Sequence, residues 1–282
     1  MGIIGIIGAM ASEVELLVQQ MEEGSVLRHA GLEFHYGLLA GKPAVVARCG
    51  IGKVCAALCA QALIDRFHVG ALINTGVAGG LDPCLAVGDL VVGAASVQHD
   101  FDLTSFGHVK GYMSGEDDSL PTLYAADRRL IAAFEAAARD EAFAGKVIEG
   151  VIASGDVFVS DEAVKADIRE RFGAAAVEME GAAIAQTAAA NGVPFVVVRA
   201  ISDLAGQQAT VSFDTFEKQA ARASAGIVMA MLKNLPVYFL SICVNFNLCT
   251  LDSINGRNLS NVSFSMSSFL NTMDLPLSKY MM

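Results

Sequence analysis

Short runs rich in valine and isoleucine recur between alanine-rich segments of helical character: Ile3 to Ile7, Pro43 to Ala47, Ala71 to Ile73, Leu90 to Val92, Val147 to Ile152 and Phe195 to Val198. This alternation constrains the fold more than any other feature. Strands that are apolar on consecutive residues, without in/out alternation, must be covered on both faces. The spacing therefore predicts an α/β chain with a largely parallel sheet between helical layers. In such sheets, polar groups at the carboxyl ends of the strands line a ligand crevice. With 282 residues, 54% of them hydrophobic, the chain can bury one large core.

The composition changes at Leu235. The body is full of alanine, whereas Pro236 to Met282 contains none, is rich in Ser and Asn, and carries only Asp252, Arg257, Asp274 and Lys279 as charges. We place a domain over 1–235 and an atypical C-terminal extension, expected to be poorly ordered, over 236–282. The apolar stretch Leu235 to Leu251 starts beside a proline and contains Asn245 and Asn247, which disfavours a membrane span. Before it, no uninterrupted run of about 18 apolar residues occurs. The N-terminal stretch to Met10 lacks a basic leader and is followed by Glu13 and Glu15, so it reads as a first core strand rather than a signal peptide.

A formal net charge of −11 and the lack of any Lys/Arg-rich run exclude a nucleic-acid footprint, and no membrane partner is expected. The six cysteines form no C-x-x-C pair and do not cluster with the scattered histidines, so neither a metal site nor a disulfide framework is expected. A reducing, cytoplasmic setting fits them. Of the histidines, His99 and His108 are expected to shape the loop around Phe106.

Five constellations could carry chemistry. Gly5 to Glu15 reads as strand, glycine turn and helix, with Ser12 and Glu15 at capping-box spacing. Glu13 then sits in the first helical turn, where the dipole favours its ionised form, either as a general base or simply as a complement to the dipole. Cys49 to Val54 and Asn74 to Gly80 place glycines directly after apolar strands, for close approach to a ligand or merely for a strand-to-helix turn. The first run lacks the G-x-G-x-x-G order of a dinucleotide fingerprint and neither of the latter two matches a P-loop, so no nucleotide cofactor is implied.

Val177 to Ala183 sets Glu178 and Glu180 in an apolar run, where carboxylates line a cavity or form an ordinary acidic pair at a helix start. On a helix, residues two apart point to different sides, so one of the two should face a ligand. Phe195 to Asp203 is a buried strand that ends in Arg199, Ser202 and Asp203. A carboxyl desolvated there can hold a proton near neutral pH, unless Arg199 and Asp203 form a structural ion pair.

The ordered series Gly8-Ala-Met10 before Glu13, Gly50-Ile-Gly-Lys-Val54, Asn74-Thr-Gly-Val-Ala-Gly-Gly80, Ser154-Gly-Asp-Val-Phe158, Val177-Glu-Met-Glu180 and Arg199-Ala-Ile-Ser-Asp203 resembles the methylthioadenosine/S-adenosylhomocysteine nucleosidases. The similarity covers roughly 2–235. It implies a three-layer α/β/α sandwich around a twisted, mostly parallel mixed sheet, a homodimer, and hydrolysis of adenine nucleosides without a cofactor, in methionine salvage. By the same resemblance, Glu13 activates water, Asp203 protonates N7 of adenine, and Arg199 organises the carboxylates. Glu180 would hydrogen-bond the ribose, with Met179 packed nearby. Phe158 would stack on adenine and the Val159 backbone would read its edge. Ile51, Phe213 and a partner-chain Phe106 would enclose the 5′ substituent. Ala9, Met10, Val77, Ala78, Gly79, Val177, Glu178 and Ser202 complete the implied binding set.

One departure from the family pattern is Val77, where many members have Ser. The tail beyond Leu235 matches nothing in the family. Phosphorolysis by the same fold would need positive donors in the glycine loops, which are poor in Arg, so hydrolysis is expected. An aminodeoxyfutalosine nucleosidase and a non-catalytic nucleoside-binding protein remain as alternatives.

Overall fold

The computed structural model describes residues 2–115, 117–206 and 208–235. The extension expected at 236–282 lies outside the described residues, as does all but the first residue of the Leu235 to Leu251 stretch.

The chain opens with strand β1 (Ile3–Gly8) and helix α1 (Ala11–Gln19), then β2 (Glu22–His29), β3 (Leu32–Leu39) and β4 (Lys42–Arg48). Helix α2 (Lys53–Phe67) leads to β5 (Val69–Gly80), β6 (Leu90–Gln98) and the short β7 (Tyr124–Ala125). There follow α3 (Arg128–Asp140), β8 (Val147–Ser154), α4 (Glu162–Phe172), β9 (Ala174–Glu178), α5 (Gly181–Ala190), β10 (Phe195–Asp203) and α6 (Ala209–Asn234). Each apolar run named above falls inside a strand.

The sheet is mixed. Strand β5 pairs in parallel with β1 and β10, and β1 with β4. Strand β10 runs antiparallel to β6, β6 parallel to β8, β8 parallel to β9, and β9 closes antiparallel on β5. Five strands thus form a closed circuit, from which β1, β4, β3 and β2 extend as a wing. Helix α6 packs on β5 and β10 with α1 and α3 beside it, while α5 packs on β8 and β10 with α2 beside it. These helix groups sandwich the sheet in the expected three-layer architecture.

The central strands are apolar throughout because water reaches neither face. Ile4, Ile6, Ile7, Leu72, Ile73, Val196, Val197 and Val198 have no exposed surface. Each such side chain contributes roughly 1.5–3 kcal/mol on burial. Helices α3 and α4 begin at Asp127 and Asp161, whose carboxylates accept the orphan amide protons of the first turn. No helix among the described residues is long and apolar enough to cross a membrane.

Three local expectations are corrected. Asn74 to Gly80 is no strand-to-helix turn but the second half of β5, buried at every residue. Ser12 and Glu15 form no capping box, because α1 starts after Met10 and Ser12 instead hydrogen-bonds Glu217 of α6. Glu178 ends strand β9, so the helical argument for Glu178 and Glu180 does not apply.

Candidate active site

Strands β1, β5 and β10 run in parallel and deliver their carboxyl ends to one place. A cavity of about 370 Å³ opens there. It brings together residues from all five constellations.

Glu13 reaches it from the first turn of α1 and is 3% exposed. Its Oε2 accepts the amide protons of Ala9 (2.6 Å) and Met10 (2.9 Å), and its Oε1 that of Val77 (3.0 Å). Burial raises its pKa, while the charge of Arg199 and these three amides pull it back. The contact requires glycine in β5, since a Cβ on Gly76 would lie 2.4 Å from Glu13 Oε1. The glycines of this strand therefore serve a side chain crossing the backbone, not a turn.

Asp203, at the end of β10, is 2% exposed. Its Oδ2 accepts from the Ser202 hydroxyl (2.9 Å) and its Oδ1 from the Ala205 amide (2.8 Å). Burial again raises its pKa against those bonds, which favours the protonated acid. Here too the neighbouring strand makes room: a Cβ on Gly79 would stand 2.9 Å from Asp203 Oδ1.

Arg199 lies behind the cavity wall, fully buried, and its ion-pair partner is Glu178 rather than Asp203. The guanidinium also donates to the side chain of Asn74 and to the carbonyls of Asn74 (3.3 Å) and Val198 (3.0 Å). Glu178 further accepts from the Ser154 hydroxyl and from the amides of Glu180 (3.1 Å) and Gly181 (2.8 Å). A buried pair is tolerable when its remaining lone pairs and protons are bonded, and most are here, although the Arg199 Nε–H has no partner among the described residues. Asn74 and Ser154 were visible in the motifs, but their ties to Arg199 and Glu178 span 125 and 24 residues and leave no local signal.

Glu180 precedes α5 and accepts the Gly52 amide at 2.7 Å. Burial and the charge of Glu178 push its carboxyl up to about 8. Met179, Val177, Ala78 and the half-buried Met10 complete the inner wall.

The outer part is apolar. Phe158 and Phe213 meet edge to face, with ring centroids 5.7 Å apart. Ile51, Val157 and Val159 lie beside them, and Val157 is a lining residue that sequence reasoning missed. Phe106 does not reach this cavity; it stands on a one-turn helix, Thr104–Phe106, and is 79% exposed. Among the described residues, no Lys, Arg or His lines the cavity. Lys53, the one base in the glycine loops, is held outside it by Gln98 (3.0 Å) and Asp100 (2.6 Å).

Residues 3–233 match the family model of the phosphorylase superfamily. The 5′-methylthioadenosine/S-adenosylhomocysteine nucleosidase of Geobacillus thermodenitrificans is 46% identical over 229 residues, 80% of this chain and 94% of that protein. The crystal structure of the corresponding Neisseria meningitidis nucleosidase, in complex with methylthio-immucillin-A, superposes with a TM-score of 0.77 at 43% identity, covering 83% of this chain and all of that one. A futalosine hydrolase of Helicobacter pylori superposes with a TM-score of 0.77 at 36% identity, over 83% of this chain and 98% of its own.

Proposed function

The chain belongs to the 5′-methylthioadenosine/S-adenosylhomocysteine nucleosidases of the phosphorylase superfamily, and on that premise we propose that it hydrolyses the N-glycosidic bond of both nucleosides, releasing adenine and the thioribose product. The observation that carries this reading is a cavity lined by four buried carboxyl residues, Glu13 and Asp203 among them, and, among the described residues, by no basic side chain.

Water supplies the incoming oxygen. Glu13 takes its proton as the C1′–O bond forms, and burial makes the ionised carboxylate a stronger base than a free glutamate. The bond from C1′ to adenine breaks as Asp203 passes its proton to N7, so that the purine leaves neutral. Glu180, protonated through neutral pH, can donate to one ribose hydroxyl and accept from another while positive charge develops on the sugar. Arg199 acts through other groups: its charge favours the ionised form of Glu13, and its pairing fixes Glu178 and hence the amides that open α5. Phe158 offers its face to adenine, and the Val159 backbone its edge contacts.

Phosphorolysis needs cations for the anion, and the cavity lining has none among the described residues. Adenine release from methylthioadenosine at the same rate with and without phosphate is therefore expected. Release that depends on phosphate would overturn hydrolysis, and binding without release would identify a nucleoside-binding protein. The likeness to a futalosine hydrolase supports a second reading, hydrolysis of aminodeoxyfutalosine, and comparing turnover of the two substrates separates them.

We also propose a cytoplasmic homodimer. Phe106, Val54 and Leu58 are exposed apolar residues that a second copy would cover, bringing a partner's Phe106 to the 5′ end of the site. The free thiols Cys49, Cys55, Cys59 and Cys84 suit a reducing compartment.

A further inference from the structure

A second, larger concavity of about 1000 Å³ lies beside the catalytic cavity. The two share Ala9, Met10 and Ile51 in their walls, so the second borders the first along those residues. Its remaining walls are not apolar throughout. Arg48 at the end of β4, Glu15 on α1, and Glu33 and His35 on β3 all line it.

These charges differ in how far they are already satisfied. Glu33 is held by Arg28, whose Nε (2.9 Å) and Nη2 (2.7 Å) both donate to its Oε1, and its carboxyl is kept below the ordinary range by that contact. His35 faces the other oxygen of Glu33 at 3.9 Å. Glu15 accepts only from Gln19, at 3.0 Å and from its own helix. The Arg48 guanidinium makes no hydrogen bond or ion pair among the described residues, and Glu33 feels its charge only at longer range. The groove thus carries a free planar donor fork and a largely free carboxylate on neighbouring elements.

A guanidinium recognises a carboxylate through paired parallel hydrogen bonds, and a carboxylate recognises an ammonium. Both charges occur on one carbon in an α-amino acid. Of the two proposed substrates, S-adenosylhomocysteine ends in that group, whereas methylthioadenosine ends in a methyl. We propose that this groove binds the amino-acid end of the longer substrate, with Arg48 on its carboxylate and Glu15 on its ammonium. The assignment rests on the nucleosidase reading above and adds to it the residues that separate one substrate from the other.

Because Arg48 and Glu15 are exposed, the contribution is screened by water and salt and is modest. The test measures kcat and KM for both nucleosides with the wild type, Arg48→Met, Arg48→Lys and Glu15→Gln. For Arg48→Met, the KM for S-adenosylhomocysteine should rise roughly two- to fivefold at unchanged kcat, with methylthioadenosine turnover unaltered. Arg48→Lys should recover part of the loss, Glu15→Gln should act in the same direction, and added salt should narrow the gap between wild type and variant. Equal changes for both substrates, or no change for the longer one, would overturn the assignment. A failure of the nucleosidase reading looks different: the wild type would release no adenine from methylthioadenosine.

Discussion

The inner and outer halves of the catalytic cavity are built on opposite principles. In the inner half, Glu13, Glu178, Arg199 and Asp203 are each at most 7% exposed, and each is tied by at least two hydrogen bonds to backbone or side chains. In the outer half, Phe158 and Ile51 are 44% and 58% exposed and meet their neighbours only through apolar contact. The contrast follows from the chemistry each half serves. Charge that develops at one bond needs fixed donors and acceptors that cost no reorganisation, whereas flat and apolar parts of a substrate need surface. Changes in the inner half should therefore be costly to folding and rate, and changes in the outer half should mainly alter affinity.

The largest effect on stability should come from breaking the buried pair. Arg199→Met leaves the Glu178 carboxylate buried with no cation and should cost about 3–5 kcal/mol, read from the denaturant midpoint. The double variant with Glu178→Met should recover much of that loss. A single variant as stable as the wild type would remove the distinction between the halves.

Gly76→Ala probes the same half through the backbone. Its methyl would fall on Glu13 Oε1, so kcat should drop on the order of 100-fold, the cost of misplacing a catalytic group by about 1 Å. Unchanged kcat would mean that the position of Glu13 does not limit the reaction. In the outer half, Phe158→Ala should leave the fold intact and weaken nucleoside binding by about 1–3 kcal/mol, the usual worth of a base stacked on an aromatic ring. A loss confined to kcat would place Phe158 with the inner group.

The smallest effect is electrostatic. Glu180 keeps its proton up to about 8, against 4.5 for the ordinary carboxyl. Between those values the unfolded chain has released a proton that the folded chain retains, so stability contributed by this group falls as pH rises through the window. Glu180→Gln should flatten the decline of Tm over that range. An unchanged slope would assign it to other groups.

The two halves also differ in how legible they were in the sequence. The strands β1, β4 and β10 show themselves as apolar runs, and the polar residues at their ends mark the crevice, because strand burial and chain reversal are local properties. For the Asn74 to Gly80 glycines the sequence leaves open a turn or close approach to a ligand, since loop glycines and glycines that admit a crossing side chain look alike in sequence. The β2–β3 hairpin was not anticipated because Glu22–His29 is exposed or half-buried at every residue and carries no apolar run. The sequence offers Arg199 only Asp203 as an ion-pair partner, and it is the closure of β9 on β5 that brings Glu178 to it instead. The outer residues Phe158, Phe213 and Ile51 come from separate loops and helices, and it was the family resemblance that joined them. Val157 lies beside them and stands within the Ser154 to Phe158 motif, but nothing in that motif marks it as a lining residue.

The division of labour between Glu13 and Asp203 is the centre of the account, and a change of leaving group tests it most directly. Adenine needs a proton to depart, whereas 4-nitrophenolate leaves as a stable anion. Adenine release from methylthioadenosine should fall by roughly 10²- to 10⁴-fold in both Glu13→Gln and Asp203→Asn. With the 4-nitrophenyl O-glycoside of 5-methylthioribose, Asp203→Asn should regain near wild-type turnover while Glu13→Gln stays impaired. Equal impairment of both variants on both substrates would contradict the assignment of Asp203 as the acid and Glu13 as the base.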